Sequence, residues 1–309
     1  MNIIFMGTPQ FAVVSLKKLI ESKHKVLAVV TVPDKKKGRG QKMGSSAVKE
    51  FALEHNIPVL QPVDLKSADF IQALKDFKSD MFVVVAFRIL PGQVFGIPPQ
   101  GTINIHASLL PKYRGAAPIN WSIMNGDSET GVTTMHINEK VDTGDILLQE
   151  KVKIDPETTA GELHDSLAVK GSDLLLKTIE QIESGNISPI IQNDTLATKA
   201  PKIKNETCHI DFSNDARRVH DHIRGLSPYP AAFAIYNGKI MKFFKSFVMM
   251  TESVTGEAGT VIAIDKDSFV IGCGTGSIKI VEVQPEGRKR MSVKEFFNGY
   301  KMTIGSAFN

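Results

Sequence analysis

The sequence predicts an α/β fold in which a Rossmann-like parallel sheet is followed by a small OB-like β-barrel. Three observations carry this expectation. Over 2–87, short apolar strand patterns alternate with amphipathic helical ones, the order that builds a parallel sheet with helices on both faces. At 102–121 a five-residue strand opens into a long loop and then a proline-started helix. From 232 to 284, five short segments with strand character are separated by glycine turns, as in a small barrel.

A chain of 309 residues allows two domains, here divided into 1–188, a linker at 189–205, and 206–309. The formal charge of +4 neither demands nor excludes a nucleic-acid partner. Cys208 and Cys273 are far apart and sit in no CxxC pattern. That excludes a disulfide framework and a cysteine zinc site, and favours a reducing compartment. No charged-then-apolar leader and no bilayer-length apolar run is present, so a soluble cytoplasmic protein with no membrane partner is expected.

Taken in order, 2–6 is a compact apolar strand that Gly7-Thr8-Pro9 turns into a helix at 10–22. Gly7 stands alone where a dinucleotide fingerprint needs GxGxxG, which excludes a nicotinamide or flavin cofactor; the turn reads as packing. A second strand, 26–32, leads into 33–42, where Lys35, Lys36, Lys37, Arg39 and Lys42 crowd among glycines. That stretch is too basic and glycine-rich for a regular element. It is either a solvated loop or an arm that meets phosphates, and without a following GK[ST] it is no P-loop. Helix, strand, helix and strand follow at 46–55, 58–60, 67–77 and 81–87.

The strand at 102–106 puts Ile103 and Ile105 on one face and Asn104 and His106 together on the other. Parallel strands are usually apolar on both faces, so two polar side chains at a carboxyl edge break the pattern. They either cap the strand end or serve a ligand, since open α/β sheets bind at that edge. Strands at 131–137 and 145–153 flank a loop with Asp142 and Asp145. A DxxD pair without further ligands nearby does not make a metal site, and Asp145 reads as structural. A helix at 160–184 completes this part. In the second part, His220 and His222 on a polar helix lack the geometry of a zinc site. The run Arg288-Lys289-Arg290 is either a nucleic-acid contact or a solvated loop.

The run NIHASLLPKYRGAAPI at 104–119 resembles the signature of the folate-dependent formyltransferases, and VDTGDIL at 141–147 resembles their second signature. Two long runs in the right order make the likeness specific, and it extends over essentially the whole chain. It implies a catalytic trio at Asn104, His106 and Asp142. It implies a folate pocket along Phe87, Arg88, Ile89 and Leu90, mostly through backbone groups, and along Ser108, Leu109, Leu110 and Pro111. Phe87-Arg88 departs from the Tyr-Gly found in many tRNA-directed members of the family. The basic stretch resembles the loop in which those members carry a Gly-Arg-Gly arginine that reaches the tRNA acceptor end, matched here by Arg39. The linker lysines Lys202 and Lys204 join the expected tRNA contacts.

The activity implied is formyl transfer from 10-formyltetrahydrofolate to methionyl initiator tRNA by a monomer without metal. The alternatives are a sugar-nucleotide formyltransferase, which would lack the basic Gly-Arg-Gly loop, and an inactive RNA-binding relative, which need not keep the trio.

Overall fold

The computed structural model describes residues 1–37, 42–249 and 257–309. The chain opens with β1 (Asn2–Gly7), α1 (Gln10–Ile20), β2 (Lys25–Val30), β3 (Lys35–Lys37), β4 (Lys42–Gly44), α2 (Ala47–Glu54) and β5 (Val59–Leu60). It continues with α3 (Ala68–Asp76), β6 (Met81–Val85), α4 (Gly92–Phe95), β7 (Thr102–His106), β8 (Arg114–Gly115) and α5 (Pro118–Met124). Then come β9 (Glu129–His136), β10 (Ile146–Lys153), α6 (Ala160–Glu183), β11 (Lys199–Ala200) and α7 (Ala216–Leu226). The last elements are β12 (Ala232–Tyr236), β13 (Lys239–Met249), β14 (Val261–Asp265), β15 (Ser268–Gly272), β16 (Ser277–Pro285), β17 (Met291–Ser292) and α8 (Val293–Phe297). Two compact units result. The first is Met1–Gly115, Thr130–Val152 and His164–Lys199; the second is Ala116–Glu129, Lys153–Leu163 and Ala200–Asn309.

In the first unit the sheet order is β10-β9-β7-β6-β1-β2-β5. The strands from β7 to β5 run parallel, as the strand–helix alternation predicts. β9 is antiparallel to β7, so the sheet is mixed on that side, a common departure in large α/β sheets. Ile3 and Phe5 point to one face, Ile4 and Met6 to the other, and all four are fully buried. Both faces are therefore covered. On one of them Ile4, Met6, Val30, Phe82 and Val84 meet Phe70, Leu74 and Val94. Gly7 has a packing role: a Cβ there would lie 2.8 Å from the Ala12 Cβ and 3.1 Å from the Val85 carbonyl oxygen. The helices begin where side-chain caps permit. Ser46 accepts the Lys49 N–H and Ser67 that of Phe70.

The basic stretch contains regular structure, contrary to expectation. Lys35 pairs with Gly44, Lys36 with Met43 and Lys37 with Lys42 in a short antiparallel ladder. Lysine is poor in strands, which hides the element, but the ladder is made by backbone groups that every residue here carries. Arg39, with the rest of 38–41, lies outside the described residues.

The second unit holds an antiparallel sheet ordered β12-β13-β16-β15-β14, with β17 paired to β16. The residues that follow α8 join its two outer strands. Ile235 and Asn309 exchange both backbone hydrogen bonds, at 2.7 and 3.0 Å. Val261 N–H donates to Ser306 O and Phe308 N–H to Gly259 O, both at 2.8 Å. This closes the sheet into a small barrel and removes its free edges. The Phe308 ring, 4% exposed, lies among Phe212, Tyr236, Phe243 and Phe269. In the same unit α5 packs on α7, with the Asn120 amide donating to Gly225 O at 2.8 Å. Among the described residues no helix is long and apolar enough to cross a membrane.

Candidate active site

The site lies in the first unit, where β6 and β7 end side by side. Val84 pairs with Asn104 and Val85 with Ile105, so Asn104 and His106 share the sheet face of Val84. Asn104 is half-buried and His106 is 6% exposed. Three loops line this edge, and each contains a non-glycine residue with left-handed backbone: Ala86 at φ 48°, Tyr113 at 61° and Asp142 at 56°. Such conformations cost roughly 1–3 kcal/mol each and gather at functional sites, where surrounding structure enforces them.

His106 is held through one ring nitrogen and faces a carboxylate with the other. Nε2 lies 2.9 Å from the Tyr113 carbonyl oxygen, which can only accept, so Nε2 carries a proton. Nδ1 faces Asp142 Oδ2 at 3.7 Å, an ion-pair distance too long for a hydrogen bond. The same Oδ2 accepts the Gly115 N–H at 2.8 Å. The two signature runs thus meet through His106, Gly115 and Asp142. Asp145 contributes its carbonyl, which accepts the His136 N–H at 3.0 Å. Burial lowers the pKa of His136, with the Asp145 charge opposing it.

The turn after β7 is tied to β9 through one hydroxyl. Thr133 Oγ1 donates to Ser108 O at 2.6 Å and accepts from Leu110 N–H at 3.2 Å and Gln149 Nε2 at 2.8 Å. Ser108 Oγ closes the turn on Lys112 O at 2.6 Å. Leu110 is buried with Met135 and Ile146, while Leu109 and Pro111 on either side of it are half-buried. After β6, Phe87 packs on the core beside buried Leu90, and Ile89 is 74% exposed. The Arg88 guanidinium is engaged by the Pro62 and Val63 carbonyl oxygens, at 2.7 and 3.1 Å.

A feature that composition and motif reading miss is Gln192, inside the stretch 189–205. Its Nε2 donates to Asp142 O at 3.0 Å and to Gly144 O at 2.8 Å. Its Oε1 accepts from Arg114 Nε and Nη2 at 3.0 and 2.7 Å. A lone glutamine shortly after two exposed isoleucines gives no periodic signal.

The other expected residues fall elsewhere. Lys35, Lys202 and Lys204 are exposed, Lys36, Lys37 and Lys42 are placed by backbone pairing in the hairpin, and Arg39 lies outside the described residues. Of the second basic run, Arg290 is committed to Glu282 at 2.6 Å and to the Phe244 ring at 4.5 Å, whereas Arg288 and Lys289 are exposed. Among the described residues no cluster of three or more His, Cys, Asp or Glu could hold a metal ion.

Residues 1–179 match the formyl transferase family, and residues 202–301 match the formyl transferase C-terminal domain. A methionyl-tRNA formyltransferase of Acetivibrio thermocellus is 45% identical over 306 residues, covering 99% of this chain and 98% of its own. One of Clostridioides difficile is 46% identical over 306 residues, with 99% of each chain covered. Among solved structures, the N-formyltransferase from Helicobacter canadensis in complex with folinic acid and dTDP-3-aminofucose aligns at TM-score 0.68. It covers 90% of this chain and 98% of its own at 24% identity, a likeness of fold.

Proposed function

The chain belongs to the formyl transferase family, and we propose that it moves the formyl group of 10-formyltetrahydrofolate to the α-amino group of methionyl initiator tRNA. The product, N-formylmethionyl-tRNA, serves translation initiation in the cytoplasm. The observation that carries this reading is the meeting of His106 and Asp142 at a strained sheet edge. It gains weight because the relatives that match nearly the whole chain are named for this activity.

The reaction forms a bond between the amine nitrogen and the formyl carbon and breaks the bond to the folate nitrogen. A proton leaves the amine and one reaches the departing nitrogen, while the formyl oxygen passes through an anionic state. With Nε2 engaged by Tyr113 O, the His106 nitrogen that serves the reaction is Nδ1. When it carries a proton it donates to the oxyanion, with the Asp142 carboxylate 3.7 Å away on the same side of the ring. The Asn104 amide supplies a second donor to the same oxygen. No covalent nucleophile is needed. The folate lies along Phe87, the Arg88 backbone, Ile89 and Leu90 and against the turn from Ser108 through Leu109 and Leu110 to Pro111, with its formyl end towards His106.

The acceptor is gripped by charge. Lys35, Lys36, Lys37, Arg39 and Lys42 form one basic arm, and Lys202 and Lys204 add to it, each meeting phosphates rather than bases. In this reading residues 1–188 perform the transfer as part of a monomer, and 206–309 bind tRNA. The second reading is an amino-sugar nucleotide as acceptor, the class with which one fold neighbour was solved. Labelled formyl transfer to charged initiator tRNA, run beside transfer to an amino-sugar nucleotide, decides between them. Transfer to tRNA alone is expected, and transfer to the sugar alone overturns the proposal.

A further inference from the structure

We propose that Gln192 is a positioning residue for Asp142, with Arg114 fixing the orientation of its amide. The inference rests on the reading of Asp142 and His106 as the groups that carry transfer. Gln192 is 8% exposed, and both ends of its amide are used. Two carbonyl oxygens, of Asp142 and Gly144, face its nitrogen, and two guanidinium N–H groups of Arg114 face its oxygen. A flipped amide would set donor against donor and acceptor against acceptor, so only one orientation satisfies the site.

Its hold falls on a backbone in an unusual conformation. Asp142 adopts φ 56°, and a Cβ at Gly144 would lie 1.7 Å from His136 O, so the loop has one narrow path. Gln192 fixes the carbonyl at Asp142 while Gly115 N–H fixes its carboxylate at 2.8 Å. The stretch around Gln192 also grips the other signature loop. Tyr113 N–H donates to Thr198 Oγ1 at 2.8 Å and Arg114 N–H to Thr198 O at 2.9 Å. One segment therefore sets the distance between His106 Nδ1 and Asp142. An ångström of misplacement in such a pair costs up to roughly a hundredfold in rate.

The test uses the full chain in steady-state kinetics, with enzyme raised for slow variants but kept below substrate, so that turnover and KM are both read. Gln192→Met keeps volume and removes all four hydrogen bonds. Its turnover should fall on the order of 10- to 100-fold, while KM for the folate and for tRNA changes by less than about twofold. In the Asp142→Asn background the same substitution should cost about twofold or less, because residues that act through one group are not additive. Arg114→Lys keeps the charge but not the paired bonds, and should show a smaller loss with the same non-additivity. If Gln192→Met fails to fold, that variant carries the test. Turnover within about twofold of wild type, or losses that multiply with Asp142→Asn, would overturn the inference. An inactive Asp142→Asn beside a fully active Gln192→Met sinks this inference alone. Wild-type turnover in Asp142→Asn sinks the reading of Asp142 and this inference with it.

Discussion

At the scale of single residues, what counts is how few alternatives His106 has. One nitrogen is spent on Tyr113 O and the other faces a carboxylate, so His106 and Asp142 should behave as one unit. His106→Ala, Asp142→Asn and the double variant should then lose similar amounts of turnover, with folate binding little changed. Mild single losses that multiply in the double variant would refute it. Asn104 and His106 were legible from sequence because a period of two places them on one face. The Asp142 loop needed its signature run as well. Gln192 was not legible, since its partners are two backbone carbonyls and an arginine, and backbone acceptors carry no sequence mark.

At the scale of elements, α7 shows how burial sets a pH limit. Asp215 caps it by accepting the Arg218 N–H at 2.9 Å. His220, 1% exposed, sits between Ser246 Oγ at 2.9 Å and Pro156 O at 3.2 Å, with the Glu157 carboxylate at 3.7 Å. Burial lowers its pKa, and Glu157 only partly opposes this. Burial likewise lowers that of His222, whose Nε2 has no hydrogen-bond partner among the described residues. A histidine whose folded pKa is below its unfolded one binds its proton more readily in the unfolded chain. Stability from these two is therefore complete above about pH 6.5, the unfolded value, and lost as pH falls below it. Thermal melts from pH 8 to about 5 should show Tm falling below that point, before most carboxylates titrate. His222→Gln, which cannot titrate, should flatten the fall; an equal fall in both proteins would count against this account.

The same scale shows why some elements escaped the sequence. The helix α8 was not expected, although its capping box, with Ser292 and Glu295 satisfying each other's backbone N–H groups, is written in the sequence as S-x-x-E before two phenylalanines. The closing segment was hidden because Gly305, at φ 89°, interrupts the short alternation of Met302 and Ile304, and Ala307 and Phe308 pair only as isolated bridges. The hairpin from Lys35 was hidden by lysine's low strand propensity.

At the scale of the whole molecule, the sequence suggests two successive blocks, whereas each compact unit gathers separated segments. Residues 116–129 and 153–163 group with the barrel. In that unit Arg224 donates to Thr158 O at 2.9 Å, and α5 rests on α7. Cutting the chain after 205 would strip α5 and 153–163 of those partners, so truncation cannot isolate the tRNA contribution of the barrel. Point substitutions can separate the basic arm from the linker lysines. Arg39→Ala removes one charge from the basic stretch and leaves every residue proposed for the folate site unchanged. Each phosphate contact contributes about 0.7 to 0.9 to the slope of log affinity against log salt. The variant should therefore use tRNA less well and show a salt dependence shallower by about that amount for each phosphate it no longer neutralises, with folate KM unchanged. Lys202→Ala with Lys204→Ala should flatten the slope further and independently if those exposed lysines also meet phosphates. Formylation kinetics at several salt concentrations measure all three effects. An amino-sugar acceptor would show none of them, since it is too small to span the arm. If Arg39→Ala leaves both the tRNA kinetics and their salt slope at wild-type values, the basic stretch is a solvated hairpin and the acceptor must be sought among small amines.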